Sequence, residues 1–193
     1  MPAMEEEPHA RHQATAVFGT GCFWCSEAVF AELHGVARVQ PGYMGGDPDR
    51  ATYREVCTGT TGHAEVSKVT FDPQVLSFGE LLRVFWATHD PTSLNRQGED
   101  IGTQYRSVIF YADEEQRAEA ERQRAALDAS GAWEKPIVTQ VVPMQEFHPA
   151  EDYHGNYFAL NPDQGYCRLV IRPKMEKFRK AFEGMLKPKT VLP

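Results

Sequence analysis

At 193 residues and 41% hydrophobic content, the chain is long enough for one well-buried core and short for two, which predicts a single domain over residues 14–193. A net charge of -7 argues against a general phosphate-neutralising surface and so against nucleic acid as a partner, and no apolar run approaches the roughly 20 residues of a membrane span. The first 13 residues carry Glu5, Glu6 and Glu7 without an apolar stretch, so they read as a flexible acidic tail, and four cysteines with no export signal point to reduced thiols in the cytoplasm.

In chain order, Ala14 to Phe18 reads as a short buried strand that gives way through Gly19-Thr20-Gly21 to a helix over Ser26 to Leu33, with Gly35 as its stop. Val36 to Tyr43 is the second strand. A loop or short helical turn runs through Tyr53, and the β-branched run Ala64 to Phe71 is the third strand. Ser77 and Glu80 form a capping box that opens a helix with Leu81, Leu82, Phe85 and Trp86 on one stripe. A long polar loop over Asp90 to Gln104 precedes the strand Tyr105 to Tyr111, and long loops in compact domains are often functional. A charged helix over Asp113 to Ser130 stops at Gly131 and is followed by a strand over Ile137 to Val142. A helix over Glu151 to Leu160, a Pro- and Gly-containing loop and a terminal helix after Pro173 complete the chain. The order strand, helix, strand, strand, helix, strand predicts an α+β fold with a ferredoxin-like split βαβ core and C-terminal additions.

The chemistry gathers around Gly21-Cys22-Phe23-Trp24-Cys25, where a thiol meets two large aromatic rings at a helix start. Unpaired N–H groups and the positive dipole end favour a thiolate there, so the position predicts a lowered pKa for Cys22. Polar residues whose types suit chemistry also occur in Thr52 to Val66, in Gly98 to Ser107 and in Glu151 to Cys167. Cys57 reads as a small buried thiol, and His154 as a structural hydrogen-bonding histidine.

Gly21-Cys22-Phe23-Trp24, Gly62-His63-Ala64-Glu65 and Gly102-Thr103-Gln104-Tyr105-Arg106-Ser107 stand together in an order that resembles the peptide methionine sulfoxide reductase A family, over about Ala16 to Phe182. The resemblance implies thioredoxin-dependent reduction of methionine (S)-sulfoxide, free or in proteins, as repair of oxidative damage. Cys22 would be the nucleophile and Glu65 the general acid, since a sulfoxide sulfur is attackable only when its oxygen is protonated or strongly hydrogen-bonded. Tyr53 and Tyr105 would hold that oxygen, and Phe23 and Trp24 would grip the S-methyl group. Asp100 would orient Tyr105 or the loop backbone, or meet the substrate.

Attack leaves Cys22 as a sulfenic acid, which Cys167 of the Gly165-Tyr166-Cys167 segment would resolve to a disulfide for thioredoxin, a transient partner, to reduce. Cys25, one turn from Cys22, is an accessory thiol that would take over the resolving role or relay the disulfide. The resemblance implies no metal or organic cofactor, and a monomer is expected. Gly155 departs from the family, which usually carries Gln after the Tyr-His pair; read as a helix interior, it would cost on the order of 1 kcal/mol. A thioredoxin-like dithiol oxidoreductase working through Cys22 and Cys25 alone is the nearest rival. A zinc module would need a second tight Cys or His pair, which the chain lacks at that spacing.

Overall fold

Three sequence runs, Ala14–Thr20, Val36–Met44 and Ala64–Phe71, pair as the centre of one sheet in the computed structural model, which describes residues 12–189. Apart from its last two positions, the expected tail over residues 1–13 lies outside the described residues. The elements are β1 (Ala14–Thr20), α1 (Phe23–Ala31), β2 (Val36–Met44), α2 (Tyr53–Val56), β3 (Ala64–Phe71), α3 (Phe78–Ala87) and β4 (Arg96–Gln97). They continue with β5 (Asp100–Ile101), β6 (Ser107–Tyr111), α4 (Glu114–Ala129), β7 (Gln140–Pro143), β8 (His148–Pro149), α5 (Tyr157–Leu160) and α6 (Arg172–Ala181).

The sheet order is β7-β6-β1-β3-β2-β8, with β4 and β5 forming a separate two-stranded ribbon. β6 and β7 are parallel, and every other neighbouring pair in the large sheet is antiparallel. The fold is therefore mixed α/β. Helices α1, α3 and α6 cover one face, where Phe18, Phe30, Val69, Phe71, Leu82 and Phe85 share the main core with Met175 and Phe178. The opposite face buries Val17, Ala64, Val66, Val108 and Phe110 beneath Met144 and Phe147. This division follows from the period-2 alternation of side chains along β1 and β3. Among the described residues, no helix is long and apolar enough to cross a membrane.

Local signals account for several element ends. The Ser77 hydroxyl accepts from the Glu80 N–H at 3.1 Å, and the Glu80 carboxylate accepts from the Ser77 N–H at 2.8 Å, which starts α3. Gly131, with φ 71°, ends α4 in the left-handed region that glycine tolerates, whereas α1 stops at Ala31 with Glu32 as its cap and Gly35, with φ 94°, forms the turn into β2 instead of the expected helix stop.

The expected loop over Asp90 to Gln104 carries the β4–β5 ribbon, and the expectations differ from the structure in three further stretches around the site. The single helix expected over Glu151 to Leu160 is broken: a 3-10 turn over Asp152–His154 ends at Gly155, and Asn156 takes φ 53° before α5 begins. The Glu27 carboxylate on α1 accepts the Asn156 N–H at 2.7 Å, so a tertiary bond fixes the break, and Gly155 carries no helix-interior cost. Tyr105 lies on a 3-10 turn (Thr103–Tyr105) ahead of β6 instead of within the strand. The strand expected from Ile137 pairs only from Gln140, because Ile137 and Val138 spend their N–H groups on Asp128 and Pro91.

Candidate active site

Helix α1 begins without a capping side chain of its own. Cys22 is its N-cap, at φ -60° and ψ 125°, and makes no side-chain capping bond. A helix start leaves N–H groups unpaired, and here Glu65 of β3 reaches across to accept the Phe23 N–H at 3.2 Å. The carboxyl group is thus fixed one residue from the Cys22 thiol. Ser26 and Ser67, hydrogen-bonded hydroxyl to hydroxyl at 2.7 Å in the same interface, lock α1 to β3 one step further along.

The approach to Glu65 is set by the loop before it. Gly62 has φ 81°, and His63 accepts the Gly46 N–H at 3.1 Å while its other ring nitrogen lies 2.7 Å from the Asp47 carbonyl. The Arg106 guanidinium donates to the Gly62 carbonyl at 3.0 Å and to the Thr103 carbonyl at 2.9 Å. It therefore ties the Glu65 loop to the turn that carries Tyr105.

Glu65 is 2% exposed, and burial above all pushes its carboxyl up to about 8. The Phe23 N–H opposes that rise, and the Asp100 and Cys25 charges add to it. Glu65 therefore holds its proton at neutral pH. Burial likewise pushes the Tyr53 and Tyr105 phenols upward, with the negative charges of Glu65 and neighbouring thiols adding, so both remain donors.

Cys22 departs from its sequence expectation. Its pKa is raised, by burial first, then by its hydrogen bond to Cys25 and the Glu65 charge; only the Trp24 N–H acts the other way. Burial outweighs the helix start, and Glu65 occupies the Phe23 N–H there. Cys25 moves in the opposite direction: it accepts from Cys22, and Lys174 and the Tyr166 hydroxyl also favour its thiolate against the cost of burial. Of the two thiols, Cys25 is the one on which negative charge is favoured.

Aromatic rings line the space around these groups. Phe23 lies with its ring centroid 5.7 Å from Tyr43 and 5.0 Å from His154. Trp24 stacks on Tyr157 at 3.8 Å and 6° and meets the edge of Tyr166 at 5.9 Å. The Trp24 indole N–H donates to His154 Nδ1 at 3.0 Å, which bears out the structural reading of that histidine. Tyr53 packs against the same imidazole at 4.5 Å.

Asp100 is bound by neither Tyr105 nor the loop backbone. It accepts a 2.6 Å hydrogen bond from the Tyr166 hydroxyl, which also lies 3.8 Å from Cys25 Sγ. Cys167 follows on a π-helical turn (Cys167–Ile171), fully buried in the core cluster that holds Cys22 and Cys25. All four cysteines are free thiols. Cys57, expected to be buried, is exposed at the end of α2, because a four-residue helix leaves its last turn at the surface.

Sequence reasoning marked the segment from Glu151 to Cys167 but gave Glu151 and Tyr166 no role of their own, and it missed Tyr43 and Tyr157, which enter through tertiary contacts.

The model of the family described as peptide methionine sulfoxide reductase matches residues 14–186. The chain is 54% identical to the peptide methionine sulfoxide reductase MsrA of Chromobacterium violaceum, over 89% of this chain and 97% of that one. Methionine sulfoxide reductase A of Corynebacterium diphtheriae has a similar structure, with TM-score 0.72 and 37% identity over 83% of this chain and 80% of that one. Mxr1 of Saccharomyces cerevisiae in reduced form gives TM-score 0.74 and 30% identity over 84% and 92% of the two chains, and Mxr1 has also been solved in complex with Trx2. With the thiol beside the buried acid at the start of α1, aromatic rings around them, and this likeness along nearly the whole of its length, the chain belongs to the peptide methionine sulfoxide reductase family.

Proposed function

We propose a thiol route in which Cys22, Glu65, Tyr53 and Tyr105 carry the first step of this protein's reaction, the reduction of methionine sulfoxide. The observation that carries the assignment is Glu65: a buried carboxyl, protonated up to about pH 8, anchored 3.2 Å from the N–H next to Cys22. An acid in that state can protonate the sulfoxide oxygen as the sulfur is attacked. Tyr53 and Tyr105 hold their protons and add hydrogen bonds to the same oxygen. Phe23 and Trp24 enclose the S-methyl group, and this shaped apolar wall supports selection of the S epimer.

Cys22 attacks the sulfoxide sulfur, the oxygen passes to Cys22, and the thiol proton replaces the one that Glu65 donates. The products are the thioether and a Cys22 sulfenic acid. Cys167 then displaces water from the sulfenic acid, giving a Cys22–Cys167 disulfide. Its burial in the same core cluster as Cys22 and Cys25 supports this assignment, with Cys25 as an accessory thiol between them. Thioredoxin reduces the disulfide as a transient partner, by analogy with the Mxr1 complex with Trx2. Asp100 acts behind the contact layer, through Tyr166.

The strand order β6-β1-β3-β2, all antiparallel, with α1 and α3 as the crossovers, supports the ferredoxin-like split βαβ reading. We take residues 14–193 as a single catalytic domain, and the protein as a cytoplasmic monomer that acts on free or protein-bound methionine sulfoxide.

Mass spectrometry after one turnover without reductant tests the scheme. One methionine per enzyme and a Cys22–Cys167 crosslink are expected. A Cys22–Cys25 crosslink would transfer the resolving role, and equal rates on the R and S sulfoxides of a blocked methionine would overturn the epimer assignment.

A further inference from the structure

We infer that Glu151 is a positioning residue for the sulfoxide pocket: its carboxylate joins the Tyr53 end of α2 to the Trp24 indole, through His154, and holds both walls in one frame. This deepens the function proposed above and rests on it for the identity of the pocket.

The Tyr53 side needs such an anchor. α2 is four residues long, too short to be stable by itself. The Tyr53 N–H donates to both Glu151 oxygens at 3.2 Å, across 98 positions of sequence. The buried Tyr43 hydroxyl donates to Oε1 of the same carboxylate at 3.1 Å, and the exposed Tyr153 hydroxyl approaches Oε2 at 3.4 Å. Among the described residues, no other residue of α2 hydrogen-bonds to the β8 side of the sheet.

The Trp24 side is joined through a histidine whose protonation the geometry fixes. An indole N–H only donates, so His154 Nδ1 must accept, and the neutral ring carries its proton on Nε2. Burial lowers the His154 pKa, in keeping with a neutral ring. Nε2 is buried without a hydrogen-bond partner, and Glu151 Oε2 lies 3.9 Å from it. A buried donor facing a carboxylate at that distance is oriented by it, although no hydrogen bond is formed. Without the carboxylate, the Trp24 bond alone would favour the observed ring orientation over the flipped one, and Trp24 would hold its acceptor less firmly.

The test uses the full chain with Glu151→Gln, Trp24→Phe and the double variant, assayed on a blocked methionine sulfoxide, together with the indole 1H–15N resonances. Gln preserves the size but presents an NH₂ group to donors. We expect about a tenfold fall in kcat/KM, chiefly through KM, and a double variant no worse than the poorer single one. The Trp24 resonance should shift while that of Trp86, bonded to Gln123 at 3.2 Å, stays in place. Multiplicative losses, or an unmoved Trp24 resonance, would overturn the inference. If Glu151→Gln does not fold, Tyr43→Phe removes one donor from the same carboxylate and should move the same resonance with a two- to threefold loss; an unmoved resonance there has the same force. Failure of the wild-type protein to reduce the sulfoxide would refute the function and leave the resonance test of the frame standing.

Discussion

Replacing Glu65 with Gln should stabilise the protein while disabling it. In the folded state the carboxyl is raised from 4.5 to about 8, mainly by burial, whereas in the unfolded chain it returns to its ordinary value. Between those two values the unfolded state releases a proton that the folded state retains, so ionisation favours unfolding and wild-type stability falls as pH rises. From 4.5 to pH 7 is about 2.5 units, and at roughly 1.4 kcal/mol per unit this penalty is on the order of 3 kcal/mol at pH 7. Glutamine carries no such penalty and retains an oxygen to accept the Phe23 N–H. Urea unfolding of both proteins at pH 4.5, 6, 7 and 8 should give curves whose stability difference grows in favour of Glu65→Gln, and levels off above pH 8. Over the same range the first turnover of the variant should be slower by about 10² to 10⁴, the usual contribution of a positioned acid. A stability difference independent of pH would refute the claim that Glu65 is held protonated, whatever happened to activity.

Two further substitutions separate the frame of the site from the rest of the fold. At Gly46, an added Cβ would collide with the His63 backbone nitrogen and meet the Thr61 carbonyl oxygen at 2.5 Å, both rigid backbone. Gly46→Ala should therefore cost about 1–3 kcal/mol by calorimetry or urea titration and reduce turnover as well, since His63 leads directly into Glu65. Ser77→Ala removes only the α3 cap, remote from the thiols; a loss of about 1 kcal/mol with unchanged kcat and KM is expected from the same unfolding assay and steady-state kinetics.

The parts of the molecule that were legible in the sequence are those decided within a few residues. β3 has the bounds its β-branched run announced, and the Ser77–Glu80 box opens α3 as written, because alternation and capping are local. Motif order likewise brought Cys22 and Glu65 to notice, although their juxtaposition is made by β3 crossing the start of α1. What could not be read are properties that depend on what else fills the space. Burial reverses the expected direction of the Cys22 shift, and the N–H that would have opposed it is taken by Glu65. The break at Gly155–Asn156 is fixed by Glu27, and the partner of Asp100 is a tyrosine 66 positions away.

These misses share a physical cause that bears on mechanism. Glu65 caps α1 and is also the proposed acid, so the bond that stops Cys22 from gaining a full helix-start thiolate also fixes the proton donor beside it. The pocket therefore favours a protonated acid over a pre-formed Cys22 thiolate. That is the more useful choice for a sulfoxide, whose sulfur becomes electrophilic only when its oxygen receives a proton or strong hydrogen bonds. The negative charge that burial denies to Cys22 is favoured instead on Cys25, within hydrogen-bonding reach, where Lys174 and Tyr166 support it. As Cys22 attacks, its own proton replaces the one that Glu65 gives to the oxygen, so nucleophile and acid need not be ionised in opposite senses at the same pH.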